Sequence, residues 1–281
     1  MTETGDAWFH GVAPSEADSE GARRVREGRA DEPADWPAVA VEAGFAEDDE
    51  EYYDRLHAAT TAATREAVTE AERADDKQLV HAVRAMDDAE RTANELAERV
   101  YEWAGTLFAD VDTGLEGARD VARREAATAA EVRVVSLAER VVSLAAERDD
   151  LRAFIERRAP DVAPNLSEMA GPVLAARLIS LAGGLEALAK KPSGTVQVLG
   201  AEDALFAHLR GHAPSPKHGI IFTHEYVRGT RQEDRGTAAR ALAGKLAIAA
   251  RIDHYSGDLR PGVHEELAAR MATIRARGED E

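Results

Sequence analysis

A segment near residues 238–252 carries two arginines on one side of a predicted helix. At about 100° per residue, the side that faces a core holds Leu242, Leu246 and Ala249. Arg240 and Arg251 lie nearly opposite, with Gly244 and Ala247 between them. A guanidinium supplies permanent charge and forked donors, and a strip almost free of side chains lets a phosphate come close. The pattern indicates a face that binds an anionic backbone; the alternative is an ordinary exposed face with helix-favouring alanines.

A second candidate is the helix that opens at Gly200-Ala201-Glu202-Asp203. It follows an apolar stretch at 195–199 that predicts a brief strand, and a similar stretch lies at 220–222. The free amide groups of a helix N-terminus attract phosphate. Glu202 and Asp203 can satisfy the same amides as ordinary first-turn acids, and this capping interpretation is favoured.

Two basic loops add cations to the same part of the chain. Pro216 sets a turn that carries Lys217 and His218, and a pair of this kind is usually solvated surface. The other loop leads into the arginine helix and contains Arg228, Arg231 and Arg235, with Gly229 and Gly236.

The charge distribution singles out the same region. The chain has a net charge of −18, from 53 acids and 35 bases, and only five of the bases are lysine. Residues 171–260 contain 12 bases and 8 acids, whereas the rest of the chain contains 23 bases and 45 acids. A basic island in an acidic chain indicates an anionic partner, and RNA is the usual one. The acidic, lysine-poor composition is typical of proteins from salt-rich cytoplasms.

The sequence shows no catalytic arrangement. It contains no nucleophile elbow, phosphate-binding loop, dinucleotide fingerprint or metal-binding helix, and without cysteine it has no thiolate ligand or disulfide. Asp253 and His254 are adjacent and point in different directions on a helix, which favours a structural role. We therefore expect a protein that is not an enzyme and needs no cofactor or metal. The sequence has neither a signal-peptide pattern nor an apolar stretch of about 18 residues, so we expect a cytoplasmic protein without a membrane span.

Two long helices are predicted to precede the basic region. Residues 47–104 contain neither proline nor glycine and predict one helix, residues 105–117 predict a turn, and a second helix follows at 118–158, ended by Pro160 and Pro164. Apolar residues at three- and four-residue steps form a seam on the first helix at Leu79, Val83, Met86, Ala93, Ala97 and Val100. The seam of the second helix is Val134, Leu137, Val141, Leu144, Leu151 and Ile155. The expected fold is mainly α: an antiparallel coiled-coil hairpin, exposed for self-association, and a compact, mostly helical domain. An ordinary bundle core is the alternative.

These patterns divide the chain into four predicted segments. Residues 1–46 hold Trp8, Phe9 and Trp36 as apolar anchors but too little material for an independent core. The other segments are a helical arm at 47–158, a globular domain at 159–258, and a C-terminal helix with an acidic tail at 259–281.

A series of motifs runs in order through the globular region. They are Ala163–Leu166, Gly171–Leu185, Thr195–Glu202, Ala204–Phe206, Pro216–Phe222, Arg235–Gly236, Ala239–Arg251 and Ser256–Gly257. These segments resemble the Nop domain of the archaeal fibrillarin-associated scaffold and of its eukaryotic nucleolar relatives. The arm is similar to that family's coiled-coil hairpin at Asp87-Asp88, Asn94, Arg99–Trp103 and Phe108.

The resemblance implies a non-catalytic scaffold of box C/D ribonucleoproteins. Members of the family bind a composite surface of guide RNA and a kink-turn-binding protein, form dimers through the coiled coil, and hold fibrillarin. Fibrillarin carries S-adenosylmethionine and performs 2′-O-methylation of rRNA or tRNA. The resemblance implies RNA contact at Gly200, Ala201, Glu202, Lys217, His218, Arg235, Arg240, Gly244, Lys245 and Arg251. For the nearby Leu205, Phe206 and Leu209, packing in the core is the alternative.

The sequence also departs from the family pattern. Asp203 and Thr237 stand where the family commonly has lysine, and only about 46 residues precede the arm, where the family has a larger fibrillarin-binding domain. The resemblance implies that Trp8, Phe9 and Trp36 are what remains of the docking surface for fibrillarin. Two rival functions are a protein-only coiled-coil adaptor, which the basic island disfavours, and an enzyme such as a nuclease, which the lack of a catalytic cluster disfavours.

Overall fold

The computed structural model describes residues 7–28 and 34–276, which divide between Ala74 and Asp75 into two compact units. The described residues are mostly helical and contain no strand, which confirms the prediction of a mainly α fold. The acidic Glu279-Asp280-Glu281 tail lies outside the described residues. None of the described helices has the length and apolar character that a membrane span requires.

The first unit is built from three helices around an aromatic core. The helices are α1 (Glu20–Glu27), α2 (Trp36–Glu42) and α3 (Asp49–Glu72). Phe9 stacks on Phe45 with ring centroids 5.1 Å apart, and the Nε1–H of Trp8 donates to the hydroxyl of Tyr52 at 3.3 Å. Tyr52 belongs to α3, which the sequence analysis assigned to the arm. The N-terminal aromatic residues therefore belong to a core of their own, because α3 contributes Tyr52 and Leu56 to it.

The prediction of one continuous helix over 47–104 was wrong. α3 ends at Glu72, and α4 (Asp75–Ala104) begins after the turn at Arg73-Ala74. Absence of glycine and proline permits a long helix without requiring one. Here two acids, Asp75 and Asp76, open a new helix, and acidic side chains are stabilising in the first turn.

The second unit begins with a long pair of helices. They are α4 and α6 (Ala129–Val162), with α5 (Gly114–Ala122) packed against both at one end. The end of α4 shares a core with the start of α6, and the start of α4 shares another with the end of α6, so the two helices are antiparallel. The predicted turn at 105–117 and helix start at 118 were wrong, because Thr128 and Glu131 form a reciprocal capping box that starts α6 at 129. Pro160 does not end α6: the helix continues to Val162, although the proline has no N–H to donate to the carbonyl of Glu156.

The seam of α4 is as predicted, whereas the seam of α6 differs. Leu79, Val83, Met86, Ala93, Ala97 and Val100 are buried, as are Val134, Val141 and Ile155. The buried positions between them on α6 are Ala138 and Ala145. Leu137, Leu144 and Leu151 are only half-buried beside the seam. Small alanines occupy the closest approach of the two helices, and the leucines cover its edge.

The globular part surrounds one central helix. It consists of α7 (Pro164–Ala170), α8 (Pro172–Ala182), α9 (Leu185–Lys190), α10 (Ser193–Val198), α11 (Glu202–Leu209), a 3-10 turn (Ile220–Thr223), α12 (Glu225–Arg228), α13 (Arg235–Tyr255) and α14 (Pro261–Ala276). α13 packs against α7, α9, α10, α12 and α14 and buries Leu242, Leu246 and Ala249. The strands predicted at 195–199 and 220–222 were wrong: both stretches are helical turns, and short apolar runs do not distinguish the two states.

Polar contacts join the start of α4 to the globular part. The carboxylate of Asp76 accepts from the Leu185 N–H at 2.8 Å, and Lys77 Nζ donates to the Gly183 carbonyl at 2.7 Å. These bonds cap the N-terminus of α9 and the C-terminus of α8. Gly184 has φ 136°, a conformation that other residues rarely adopt, and a Cβ there would also lie 3.0 Å from the Asp76 carboxylate.

A buried carboxylate holds α7 against α13. Asp253 accepts from the backbone N–H of Asn165 at 2.9 Å, from its side-chain Nδ2 at 2.6 Å, and from the Leu166 N–H at 2.9 Å. These donors lie in the first turn of α7, so Asp253 caps that helix from another element. Burial raises the pKa of Asp253, and the hydrogen bonds act in the opposite direction.

Candidate nucleic-acid interface

Two cations meet at one end of α13. Arg240 projects from the helix and Lys217 from the loop before the 3-10 turn, and both are exposed. Neither side chain has an ion-pair partner among the described residues. They line one cleft of about 470 Å³ together with Gln197, Ser215 and Thr237, and the groups on its walls are mostly polar. The one acid on its wall, Glu233, pairs with Arg231 at 3.5 Å. Two unpaired cations at a polar cleft suit an anion such as a phosphate.

Backbone bonds fix the position of Lys217. Gln197 Nε2 donates to the Lys217 carbonyl at 2.7 Å, and the Gly219 N–H donates to the Gln197 carbonyl at 2.8 Å. A Cβ at Gly219 would lie 1.9 Å from the Leu199 carbonyl oxygen, so this close approach excludes every other residue. The loop is therefore held rigidly on α10.

Beside the cleft, the ring of Phe222 contacts two of the predicted site residues, His218 and Arg235. The His218 ring stacks on it at a centroid distance of 4.6 Å, and the Arg235 guanidinium lies 5.4 Å from its centroid. Arg235 Nε also donates to the Thr230 carbonyl at 3.1 Å. Burial, aided by the charges of Arg235 and Lys217, lowers the pKa of His218, so a neutral ring faces the cations.

The Gly200 segment forms the turn before α11. The Gly200 N–H donates to Glu202 Oε1 at 2.9 Å, but Gly200 precedes the N-cap residue Ala201, which has no side-chain cap, so capping of the first-turn amides by the acids stays a prediction. Gly200 has φ 79°, and a Cβ there would lie 3.3 Å from Ile220 Cβ. The chain at 200–201 therefore packs closely against the 3-10 turn and leads directly into α11.

α11 contradicts the core alternative for its apolar residues. The helix buries none of its side chains, and Phe206 and Leu209 are 58% and 71% exposed. This surface was not predicted, because an apolar helix normally turns its largest side chains inwards. An apolar helix without a buried side is a surface that a partner can cover.

The remaining cations of α13 are already engaged. Lys245 forms an ion pair with Glu266 of α14. Arg251 donates through Nε to the Ala189 carbonyl at 3.2 Å and through Nη2 to the Lys191 carbonyl at 3.3 Å, which caps the end of α9. Arg240 and Arg251 are therefore not equivalent, although they are similar on a helical wheel.

The strip between these arginines also differs from the prediction. Ala247 is buried, and the half-exposed Gly244 and the exposed Ile248 lie between the arginines instead. A Cβ at Gly244 would meet no atom within 4 Å, so the surface is open at that point.

The other predicted residues lie in two further places. Arg231 pairs with Asp234 at 2.9 Å, while Arg228 is exposed at the end of α12. In the first unit Phe9 is buried, and Trp8 and Trp36 are half-buried at the edge of the aromatic core. Within residues 7–28 and 34–276, no group of acidic or histidine side chains is arranged to hold a metal ion.

Comparison with known proteins identifies the family. Residues 70–273 match the family described as Nop, snoRNA binding domain, fibrillarin. The chain is 34% identical over 274 residues to an uncharacterised NOP5 family protein of Methanocaldococcus jannaschii, with 84% of this chain and 66% of that protein covered. It is 31% identical over 245 residues to nucleolar protein 58 of Debaryomyces hansenii, with 72% and 47% covered. The chain thus spans between about half and two thirds of the length of these relatives.

A solved structure agrees with this assignment. A chain of the crystal structure titled fibrillarin/Nop5p complex is similar at a TM-score of 0.54 and 27% identity, with 92% of each chain covered. The family match covers α4 to α14 except the last three residues of α14, and it includes both the long helix pair and the cleft. The chain belongs to the Nop family.

Proposed function

We propose that this protein is a non-catalytic scaffold of the box C/D guide ribonucleoprotein. It binds guide RNA together with the kink-turn-binding protein and positions fibrillarin for 2′-O-methylation of rRNA or tRNA. The observation that carries the RNA contact is the cleft at α13, where Lys217 and Arg240 stay unpaired in a chain of net charge −18. Both cations line the same cleft and neither has an ion-pair partner among the described residues, so both remain available for phosphate.

The exposed side of α11 supports a protein contact next to the cleft. Phe206 and Leu209 are apolar and exposed, and the Gly200 turn joins their helix to the wall of the cleft. RNA backbone suits cations, whereas an apolar helix suits an apolar protein surface. We assign the cleft to RNA and α11 to the kink-turn-binding protein, which together form the composite surface.

Two further contacts belong to the proposal. In the first unit a cleft of about 840 Å³ lies between Phe9, Val39 and Phe45, and its partly apolar lining supports fibrillarin docking beside Trp8 and Trp36. On the arm, Leu137, Leu144 and Leu151 recur every seven residues and are half-buried, which supports a homodimer through a coiled coil.

The test is a gel shift in molar KCl with a box C/D kink-turn RNA, with and without its kink-turn-binding protein. A supershift only when that protein is present is the expected result. The Lys217→Ala/Arg240→Ala variant should lose affinity and reduce the slope of log affinity against log salt by roughly 0.7–0.9 for each lost phosphate contact. Arg133→Ala, which removes an exposed arginine of the arm, is the matched control.

The choice of variant follows from the contacts on α13. Arg251 caps α9, so its removal would confuse RNA binding with folding, whereas Arg240 holds no structural contact among the described residues. Because salt screens phosphate contacts, we expect binding in molar KCl to depend mainly on shape, apolar contact and the partner's surface. No shift under either condition would favour a protein-only coiled-coil adaptor.

A further inference from the structure

α13 has no exposed carboxylate, although 53 of the 281 residues of the chain are acidic. Its 21 residues include one acid, Asp253, and that side chain is buried as the cap of α7. Four bases lie on the same helix: Arg235, Arg240, Lys245 and Arg251. A long helix that lacks surface acids of its own in so acidic a chain presents a face whose own side chains do not repel an anion. The acid that approaches it, Glu266 of α14, is paired with Lys245.

The exposed side of α13 is a continuous stripe that leads away from the cleft. Steps of four, four, three and four residues join Arg240, Gly244, Ile248, Arg251 and Tyr255, so they share one side of the helix. With a rise of 1.5 Å per residue the stripe is about 22 Å long. The open surface at Gly244 leaves room for a backbone between the two arginines.

The segment between α9 and α10 borders this stripe with two lysines. Arg251 bonds to the Ala189 and Lys191 carbonyls, and these bonds hold the segment against α13. The Lys191 side chain has no ion-pair partner among the described residues, and Lys190 pairs with Glu186 at 2.5 Å. The far half of the stripe thus has cations along its edge as well.

Tyr255 ends the stripe as an exposed aromatic ring. It is 69% exposed, and its ring meets the ring of His254 edge to face at 4.6 Å. Arg251, four residues earlier, lies one turn away on the same side of the helix. An aromatic face beside cations is the arrangement on which unpaired bases stack while their phosphates contact the charges.

We propose that this side of α13, from Arg240 to Tyr255, is a track for single-stranded RNA, with Tyr255 as the stacking platform at its end. The track rests on the proposed function, because it begins at the phosphate cleft. Single-stranded RNA fits better than a duplex, because a ring in this position stacks only on a base that is not already paired. The track is separate from α11, whose apolar side chains are assigned to a protein.

The experiment uses the full chain and a fluorescent oligouridylate of about eight nucleotides, within the usual site size for single strands. Fluorescence anisotropy gives its affinity for the wild type and for Tyr255→Ala, Tyr255→Phe and Tyr53→Ala. Tyr53 is the matched control, because it is an exposed tyrosine on α3 of the first unit. We expect Tyr255→Ala to weaken binding about tenfold, while Tyr255→Phe and Tyr53→Ala bind like the wild type. Circular dichroism confirms that each variant is folded.

Three results would overturn the track. The first is equal affinity of Tyr255→Ala and the wild type for the oligouridylate, and the second is no binding of the oligouridylate by the wild type. The third is binding of the oligouridylate no tighter than binding of polyglutamate, because that would indicate general attraction of polyanions. The kink-turn RNA, measured in parallel, separates the two proposals. If it binds and the oligouridylate does not, the track fails and the proposed function stands; the opposite pattern keeps the track and removes the proposed function.

Discussion

The capping of α7 by Asp253 gives a quantitative prediction about stability. Asp253→Ala leaves three donors without their acceptor: the Asn165 N–H, the Asn165 side-chain amide and the Leu166 N–H. Each unsatisfied buried donor costs about 1–3 kcal/mol. Because burial raises the pKa of Asp253, ionising this carboxylate in the fold is itself unfavourable, which offsets part of the loss. We therefore expect a net destabilisation of about 3 kcal/mol, near the lower end of the range for removing one partner of a buried charge.

The assay is thermal unfolding followed by circular dichroism. For a unit of this size, about 3 kcal/mol corresponds to a decrease in Tm of roughly 6–12 °C. Asp258→Ala is the control, because Asp258 is exposed and receives the Asn165 amide through its backbone carbonyl, which the substitution keeps. A decrease of less than about 2 °C, or an equal decrease in the control, would refute the assignment of Asp253 as the cap of α7.

Three further predictions follow from single contacts. His224 donates through Nε2 to the Met169 carbonyl and accepts the Tyr226 N–H at Nδ1, each at 3.0 Å, and burial lowers its pKa below 6.5. The neutral form of His224 therefore contributes stability that is complete above pH 6.5 and is lost as the pH falls towards the pKa of the folded state. His224→Asn should flatten the dependence of Tm on pH in that range. An unchanged dependence of Tm on pH would contradict this. Gly219→Ala should displace the Lys217 loop from α10 and lower both the Tm and the affinity for kink-turn RNA, whereas Gly262→Ala on α14, where a Cβ meets no atom within 4 Å, should change neither. Leu144→Glu should shift the chain from dimer to monomer in sedimentation experiments, because it places a charge in the proposed contact between arms; a dimer that persists would exclude this side of α6.

The sequence contained most of what is needed to predict the helices of the second unit, and some of it was overlooked. The apolar steps of α4 predicted its seam correctly, because both partners of a long pair obey the same spacing. The start of α6 could have been found from Thr128 and Glu131, whose spacing is that of a capping box. The break between α3 and α4 at Arg73-Ala74 is harder to predict, because its sign in the sequence is the pair of acids, Asp75 and Asp76, that follows it.

The composition of the cleft depends on contacts between distant parts of the chain. Arg240 and Arg251 look alike in the sequence, and only the position of α9 shows that one of them is a helix cap. Lys217 approaches Arg240 because Gly219 allows its loop to lie on α10, a contact that no local pattern reveals. Phe206 is exposed because α11 buries none of its side chains against a neighbouring element. A single sequence cannot show which apolar helix lacks such a neighbour.

The bonds of Asp76 and Lys77 bear on where the chain can be divided. Both residues belong to the first turn of α4, yet the helix ends they satisfy belong to α8 and α9 in the globular part. Cutting between the long helix pair and the globular part would leave a frayed helix end on each side of the cut. We therefore expect the two to behave as one cooperative folding unit, in which the α8–α9 turn opens together with the first turn of α4. Hydrogen exchange should report the same opening free energy for the amides of Leu185 and of the first turns of α4, although they are more than a hundred residues apart in sequence.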